Sequence, residues 1–148
     1  MLTVDPIEGC FQLMGGDFTN AGAASSELKS TLTKLGVVSN IVRRVAIAAF
    51  EAEMNVIIHA VAGTMHYTIT PAMVKVVVTD MGPGIEDIDL AMQEGYSTAP
   101  DWVREMGWGA GMGLPNIKKN ADMFKLDSVV GEGTTLEITI YIREDDEG

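Results

Sequence analysis

Residues 50–60 read FEAEMNVIIHA, and two polar side chains stand four residues apart inside this apolar stretch. Glu51 and Asn55 fall on one stripe of a helix, because residues i and i+4 lie one turn apart on the same face. Burying an unpaired polar group costs about 1–3 kcal/mol, so both side chains need partners if they face inward. An Asn oxygen suits Mg²⁺, and a Glu can orient or deprotonate a nucleophile. From the helix alone, a functional site and two solvated side chains at a helix edge are equally good interpretations.

The stretch belongs to a longer predicted helix, which begins at Ser39 or Asn40 and ends at about Ala62. Polar caps at the start and a glycine directly after the end are typical of helix boundaries. Most of its other positions are Ala, Val and Ile, which indicates a largely buried helix. Glu53 falls outside the polar stripe, and we expect it on the solvent face.

Short runs of β-branched and apolar residues predict five strands. Two of them are joined at Pro71-Ala72, and so short a link indicates an antiparallel hairpin. Strands in hairpins together with separate helices favour an α+β fold, in which helices cover one face of a mixed sheet. In chain order, the predicted elements are a strand at 10–14, a helix from Ser25 or Ser26 to Leu35, the long helix, strands at 65–70 and 73–79, a short helix at 86–94, a helix at 113–124, and strands at 126–130 and 134–142.

A second motif, DMGPG at residues 80–84, directly follows the valine-rich strand. Its glycines permit close approach of the backbone and unusual dihedral angles. The carboxylate of Asp80, at a strand end, can accept a hydrogen bond from an exocyclic amine such as that of adenine. Many turns have this pattern, so the motif alone is weak support for a nucleotide site.

A third motif, GWGAGMGL at residues 107–114, leads into a predicted helix. Successive backbone amides followed by a helix N-terminus form a cradle for phosphate. A Rossmann motif needs G-x-G-x-x-G after an early strand in a parallel βαβ unit, and both the spacing and the hairpins argue against it. A P-loop NTPase is also disfavoured, because the sequence has no G-x-x-x-x-G-K-[ST] loop. The fourth motif, GEGTT at 131–135, is by itself only a hairpin turn.

Composition and charge limit the classes of function. The chain has 148 residues, 47% of them hydrophobic, which suits one domain at 1–142 followed by an acidic tail at 143–148. The net charge of −11 repels nucleic acid and anionic membranes, so we expect neither as a partner. The sequence has no apolar run of about 18 residues and no signal-peptide pattern, and we therefore expect a cytoplasmic protein.

The four motifs, in this order, resemble the nucleotide site of the GHKL superfamily, which includes gyrase and the histidine kinases. The family pattern is E-x-x-x-N on a helix, followed by D-x-G-x-G, G-x-G-x-G and G-x-G-T. Here these motifs stand at 51–55, 80–84, 109–113 and 131–134. Each motif alone is weak, but all four in order are strong support. The resemblance implies the Bergerat fold, a two-layer α/β sandwich of the histidine-kinase-like ATPase type.

The resemblance also implies ligands and residue roles. ATP and Mg²⁺ would be bound, with Asn55 as the Mg²⁺ ligand and Glu51 as general base or as the group that orients the attacking hydroxyl. A lid over the ATP would span residues 95–111. The other implied positions are Asp80 for the adenine amine, Gly82 and Gly84 for the shape of the pocket, Gly109, Gly111, Gly113 and Leu114 for the phosphate turn, Thr134 and Thr135 for the adenine side, and Ser97, Thr98 and Arg104 in the lid.

Longer stretches are similar to two groups of bacterial regulators within the superfamily. GYST at 95–98 and GMGLPNIKK at 111–119 are similar to the switch-protein serine kinases of stress-signalling modules. The Glu51/Asn55 pair is similar to the anti-sigma factor kinases. The resemblance implies a serine/threonine protein kinase that acts on a small partner of the anti-anti-sigma, STAS-like type, and a homodimer formed through the first strand and helix.

A binding module without phosphotransfer is the main alternative. Such a module would sequester a sigma factor or activate a phosphatase, and ATP would only set the shape of the lid. A detached histidine-kinase ATPase domain is less favoured, because both histidines, His59 and His66, fall inside the predicted fold. The intact motifs argue against a relic of the fold that no longer binds nucleotide.

Overall fold

The computed structural model describes residues 5–85, 87–93 and 113–143. Four helices and five strands form the described part of the fold, with one 3-10 turn at Phe18–Asn20. The strands are β1 (Ile7–Met14), β2 (Ala62–Ile69), β3 (Met73–Met81), β4 (Met123–Val129) and β5 (Gly133–Tyr141), and the helices are α1 (Ala23–Lys34), α2 (Ser39–His59), α3 (Ile88–Ala91) and α4 (Gly113–Asn120).

The five strands form one sheet in the order β1-β2-β3-β5-β4. All four pairings are antiparallel. The α+β class and the predicted hairpins are confirmed, but the sheet is antiparallel where we expected a mixed one. The short turns after β2 and β4 reverse the chain direction, and β3 pairs with β5 in the same antiparallel sense.

The core lies between one face of the sheet and the helices. Side chains alternate between the two faces of a strand, so every second residue of β3 and β5 faces the helices. Helix α2 crosses this face and contributes the largest number of buried side chains. The central buried residues are Val74, Val76 and Val78 of β3, Leu136, Ile138 and Ile140 of β5, and Val45, Ala48, Ala49, Ala52 and Val56 of α2.

Glu53 of α2 is buried, and the expectation that it faces solvent is wrong. Only 1% of the residue is exposed. Its carboxylate accepts the backbone N–H of Gly22 at 3.0 Å and of Ser25 at 3.0 Å. The N–H of Ala24 is a third donor at 3.3 Å. The first N–H groups of a helix have no partner within it, so a carboxylate from elsewhere stabilises them. Helix α1 therefore begins at Ala23 rather than at Ser25 or Ser26.

Two helices end earlier than predicted, because the residues that follow them lead into paired strands. Helix α2 ends at His59, and β2 begins at Ala62, the predicted end of the helix. Helix α4 ends at Asn120, since residues 123–129 pair with β5. Tertiary pairing commonly overrides local propensity at such boundaries. Within the described ranges, no helix combines the length and apolar character that crossing a bilayer requires.

Candidate nucleotide-binding site

The first residue of α4 lies directly against the polar stripe of α2. A β-carbon on Gly113 would be 3.3 Å from Oε2 of Glu51 and 3.3 Å from Oδ1 of Asn55. Both distances are tighter than ordinary van der Waals contact, so a side chain here would push against both polar groups. The structure thus brings together three residues that were predicted to share one site, and the absence of a side chain on Gly113 permits this close approach.

Glu51 has an unexpected partner in Asn116. Burial raises the pKa of the half-buried Glu51 carboxyl group, and a hydrogen bond from the Asn116 side chain lowers it in part. Burial disfavours the charged carboxylate, while a hydrogen bond to it favours that form. Asn116 was not among the predicted site residues. The available signal was its place three residues after Gly113, which puts both residues on one face of a helix.

Asp80, at the end of β3, is tied to the start of β5. Its Oδ1 accepts the backbone N–H of Thr134 at 3.1 Å. Burial raises the pKa of Asp80, and the hydrogen bond from Thr134 partly offsets this rise. Gly133 brings the two strands together, because a β-carbon there would overlap the carbonyl oxygen of Asp80.

The turn after β3 and the turn between β4 and β5 pack against each other. Gly84 has φ +77, and a β-carbon there would be 2.6 Å from the carbonyl oxygen of Val129. Glycine is required at this position for both reasons. The N–H of Gly131 donates to the carbonyl oxygen of Pro83 at 2.9 Å, which joins the two turns directly. The two glycine motifs therefore form one structural unit.

Ser128 links the same two turns, although it was not among the predicted site residues. Its Oγ accepts the N–H of Ile85 at 2.8 Å and lies 2.9 Å from Oγ1 of Thr134. It also lies 3.2 Å from the carbonyl oxygen of Gly133, to which it can donate. Nothing in the local sequence marks this serine, because its partner in the other turn, Ile85, is 43 residues away along the chain.

Ala60, the residue directly after α2, contacts the turn after β3. A β-carbon on Gly82 would be 3.1 Å from Cβ of Ala60 and 3.1 Å from Oδ1 of Asp80. Ala60 follows Asn55 by five residues, which corresponds to about 7–8 Å along the helix axis. The turn after β3 therefore lies next to the C-terminal end of α2, the helix that carries Glu51 and Asn55.

Comparison with known proteins agrees with this arrangement. A family model described as the histidine kinase-like ATPase domain matches residues 16–140. The chain belongs to the histidine kinase-like ATPase family. This membership confirms the family resemblance that the four motifs predicted. It implies ATP as the ligand of the family site.

Individual relatives of this chain have regulatory names. The chain is 30% identical over 130 residues to an anti-sigma F factor of Priestia megaterium, which covers 83% of this chain and 85% of that protein. It is 31% identical over 120 residues to an anti-sigma F factor of Pasteuria penetrans, covering 76% and 72%. A serine/threonine-protein kinase, RsbT of Bacillus subtilis, is 41% identical over 69 residues, but this match spans only 47% of the chain and 46% of RsbT.

The predicted site residues fall into four groups. Glu51, Asn55 and Gly113 meet at the start of α4, and Asp80, Gly82, Gly84 and Thr134 lie at the paired turns. Leu114 is only 8% exposed and belongs to the hydrophobic core, and Thr135 lies on the sheet face opposite to buried Leu136. Five predicted residues lie outside the described ranges: Ser97, Thr98, Arg104, Gly109 and Gly111.

The residues present fit Mg·ATP. Glu51 and Asn55 supply oxygen donors, which hard cations such as Mg²⁺ prefer. Gly113 is the first residue of α4, and the backbone N–H groups and helix dipole at a helix N-terminus favour phosphate. Within residues 5–85, 87–93 and 113–143, no three His, Cys, Asp or Glu side chains cluster as a metal site. Asn55 would be the residue that holds a Mg²⁺ ion here.

Proposed function

We propose that this histidine kinase-like ATPase is a serine/threonine protein kinase of the anti-sigma factor type, acting on a small STAS-like partner protein. The observation that carries the proposal is the contact of Gly113 with Glu51 and Asn55. A carboxylate and an amide oxygen lie at the edge of the space where phosphate would bind. That arrangement suits phosphoryl transfer, in which positioning and charge neutralisation supply most of the rate. Relatives named serine/threonine-protein kinase and anti-sigma F factor support the same assignment.

Glu51 is the proposed general base. It accepts the proton of the Ser or Thr hydroxyl group of the partner. The hydroxyl oxygen forms a bond to the γ-phosphorus as the bond between that phosphorus and the β,γ-bridging oxygen breaks, and ADP leaves. A general base works best when its pKa lies near the operating pH. Burial, which raises the pKa of Glu51, moves it in that direction.

Other residues of the site have proposed roles in binding. Asn55 holds Mg²⁺, which neutralises charge on phosphate oxygens when bound. Asp80 accepts a hydrogen bond from the adenine amine, with the pocket shaped by Gly82 and Gly84. The proposal assigns the phosphate turn to Gly109, Gly111 and Gly113, the adenine side to Thr134, and the lid to Ser97, Thr98 and Arg104.

Transfer from γ-labelled ATP to candidate STAS-like partners tests the kinase proposal. We expect Glu51→Gln to bind ATP with an affinity close to that of the wild type and to lose transfer. Asn55→Ala should lose Mg²⁺-dependent ATP binding. The control is Asp127→Asn, because Asp127 is exposed on β4 and lies outside both the proposed site and the proposed dimer surface. The proposal is wrong if the wild type labels no partner, or if Glu51→Gln transfers at the rate of the wild type.

A module that captures its partner without phosphotransfer is the second candidate. It is favoured by the anti-sigma F factors, whose similarity spans more of this chain than the kinase match does. A pull-down of a sigma factor with ATP, with ADP and without nucleotide separates the two. Equal capture by the wild type and Glu51→Gln, without labelling of any partner, supports this candidate.

A homodimer through β1 and α1 is part of the proposal. Strand β1 is at one end of the strand order and pairs only with β2 among the described strands. A cavity of about 300 Å³ is lined by β1, the start of α1 and α2. Sedimentation equilibrium should show a dimer, and a monomer at all concentrations would contradict it.

A further inference from the structure

A row of apolar residues crosses the face of the sheet that points away from the core. Strand register places Met14 opposite Ala62, and Ala62 opposite Met81. Val129 is opposite Gly133, and continuing the β3–β5 register by two residues brings Gly133 beside Met81. One residue from each of the five strands therefore lies on a line, which we call the end row: Met14, Ala62, Met81, Gly133 and Val129.

The end row faces solvent although it carries no charged or strongly polar side chain. Alternate residues of a strand point to opposite faces, so Met14 and Met81 point away from the buried core. The side chains of Met14, Met81 and Val129 are each more than half exposed. Val61 is 74% exposed beside them, since its N–H donates to the carbonyl oxygen of Met81 at 3.0 Å. A contiguous apolar patch of this kind marks an interaction surface.

Large and small residues alternate along the end row. Ala62 lies between Met14 and Met81, and Gly133, which has no side chain, lies between Met81 and Val129. Strands in a sheet are about 4.8 Å apart, so the two gaps are about 10 Å apart and the row is about 19 Å long. In a helix, residues i and i+7 are about 10 Å apart on one face, and about 13 residues span 19 Å. The row therefore matches the apolar stripe of a short amphipathic helix that crosses the strands.

Both ends of the end row are acidic. The N–H of Asp17 donates to the carbonyl oxygen of the first residue of the row at 3.2 Å, and the N–H of Glu132 donates to that of the last residue at 3.0 Å. Lys125 and Asp127, on the same face, are 3.9 Å apart and offset each other. A second copy stacked row on row would bring acidic ends together in either direction, in a chain of net charge −11. Basic residues at both ends of a partner helix would instead complement the row.

We propose that the end row docks an amphipathic helix of a partner protein, with apolar side chains at i and i+7 in the two gaps and Lys or Arg near both ends. Methionine side chains are flexible and polarisable, so those of the row can adapt to the apolar side chains of the helix. The surface is separate from the Glu51/Asn55 site, and the inference does not depend on phosphotransfer.

Binding of a synthetic helix tests the docking. The probe is a peptide of about 15 residues with leucines at i, i+3, i+7 and i+11 and lysines at both ends. The control peptide has the same composition, with its leucines spread around the helix. We expect the probe to bind the full chain with a dissociation constant below about 100 µM, and the control at least about tenfold more weakly. No saturable binding of the probe up to about 1 mM would overturn the proposal.

Two exposed methionines give a matched pair of variants. Met81 is in the end row, while Met123 lies on the same face at the other end of β4, about 20 Å from Val129. Their exposed fractions are similar, at 63% and 57%. Met81→Gln should weaken binding of the probe about tenfold or more, because it removes an apolar side chain that the helix buries. Met123→Gln should leave the affinity unchanged, and equal effects of the two substitutions would overturn the assigned surface.

Ala62→Leu separates docking into the gaps from general attraction between apolar surfaces. The substitution makes the patch more apolar but closes one gap, so the proposal expects about tenfold weaker binding of the probe. Tighter binding would overturn the fit of the helix to the gaps.

Glu132→Gln tests the acidic end of the row. It should weaken binding of the probe about twofold to fivefold, as expected for an exposed ion pair, and should not affect a peptide with glutamines in place of the terminal lysines. Equal affinities of the wild type and Glu132→Gln for the probe would overturn the charge complementarity.

Methionine methyl signals in nuclear magnetic resonance distinguish a partner helix from a second copy of the chain. The signal of Met81 should shift when the probe is added, while that of Met123 stays in place. Without peptide, the Met81 signal should not depend on protein concentration. A shift of Met81 with protein concentration alone would assign the row to self-association and overturn the proposed partner.

Discussion

Thr134 donates its backbone N–H to Oδ1 of Asp80 at 3.1 Å, although 54 residues separate them in the sequence. The bond joins the end of β3 to the start of β5 at the point where the two glycine-rich turns meet. Hydrogen bonds at Ser128 and Gly131 hold the same two turns together. The carboxylate is thereby fixed in direction before any ligand binds, which reduces the entropic cost of recognition.

Asp80→Asn should weaken ATP binding about tenfold to a hundredfold, because hydrogen bonds to a charged acceptor contribute about 1.5–3 kcal/mol. The amide oxygen can still accept from Thr134, but the second carboxylate oxygen becomes a donor that faces the donor amine of adenine. Calorimetric titration with ATP measures the effect. Asp127→Asn is the control, since Asp127 is exposed on the same sheet. Equal affinities of Asp80→Asn and the wild type would remove Asp80 from the adenine site.

The free energy of unfolding should depend on pH through Asp80. Its pKa is raised in the folded protein, so between the ordinary Asp pKa and the raised value the folded state binds more protons than the unfolded state. Unfolding free energy then falls as pH rises through this window. Asp80→Asn lacks this titration, and its stability relative to the wild type should be highest at neutral pH and decrease on acidification.

Urea unfolding of both proteins, from neutral pH down to about 4, measures this difference. Other titrating groups contribute equally to both proteins and cancel. Parallel stability curves would show that folding does not change the pKa of Asp80.

Glu53→Ala should lower the free energy of unfolding by about 2–4 kcal/mol, because it leaves buried N–H groups of α1 without an acceptor. Glu53→Gln keeps one acceptor oxygen and should cost less. Urea unfolding measures both, and Asp127→Ala is the control because Asp127 is exposed on β4, away from α1. Faster hydrogen exchange at Ala24 and Ser25 should accompany the loss. A cost for Glu53→Ala no larger than that of the control would contradict the capping role.

Gly113→Ala should reduce ATP affinity at least about tenfold while leaving the fold intact. Alanine favours helix more than glycine by about 1 kcal/mol, so α4 itself gains stability. The new methyl group would lie 3.3 Å from Glu51 and Asn55 and fill the space between them. Calorimetry and thermal unfolding separate the two effects. Lys118→Ala, exposed on the same helix, should change neither, and normal ATP binding by Gly113→Ala would show that this space is not used.

The four motifs could be predicted from sequence because each depends on local geometry. Glu51 and Asn55 share a helix stripe by their spacing, and Asp80 ends a strand whose valines alternate. The partners of these groups could not be predicted in the same way. Asn116, Ser128 and Glu53 are ordinary polar residues in sequence, and their roles follow from contacts with distant segments.

By itself, the sequence determined the class of the fold, the hairpins and the residue types available to a nucleotide, since periodicity and glycine spacing act over a few residues. Tertiary structure alone decided which of these residues meet. It buried Glu53 under α1, turned Thr135 away from Thr134, and set Gly113 against Glu51 and Asn55. The physical reason is that such contacts depend on how helices pack on the sheet, and burial and close approach there are properties of the whole chain.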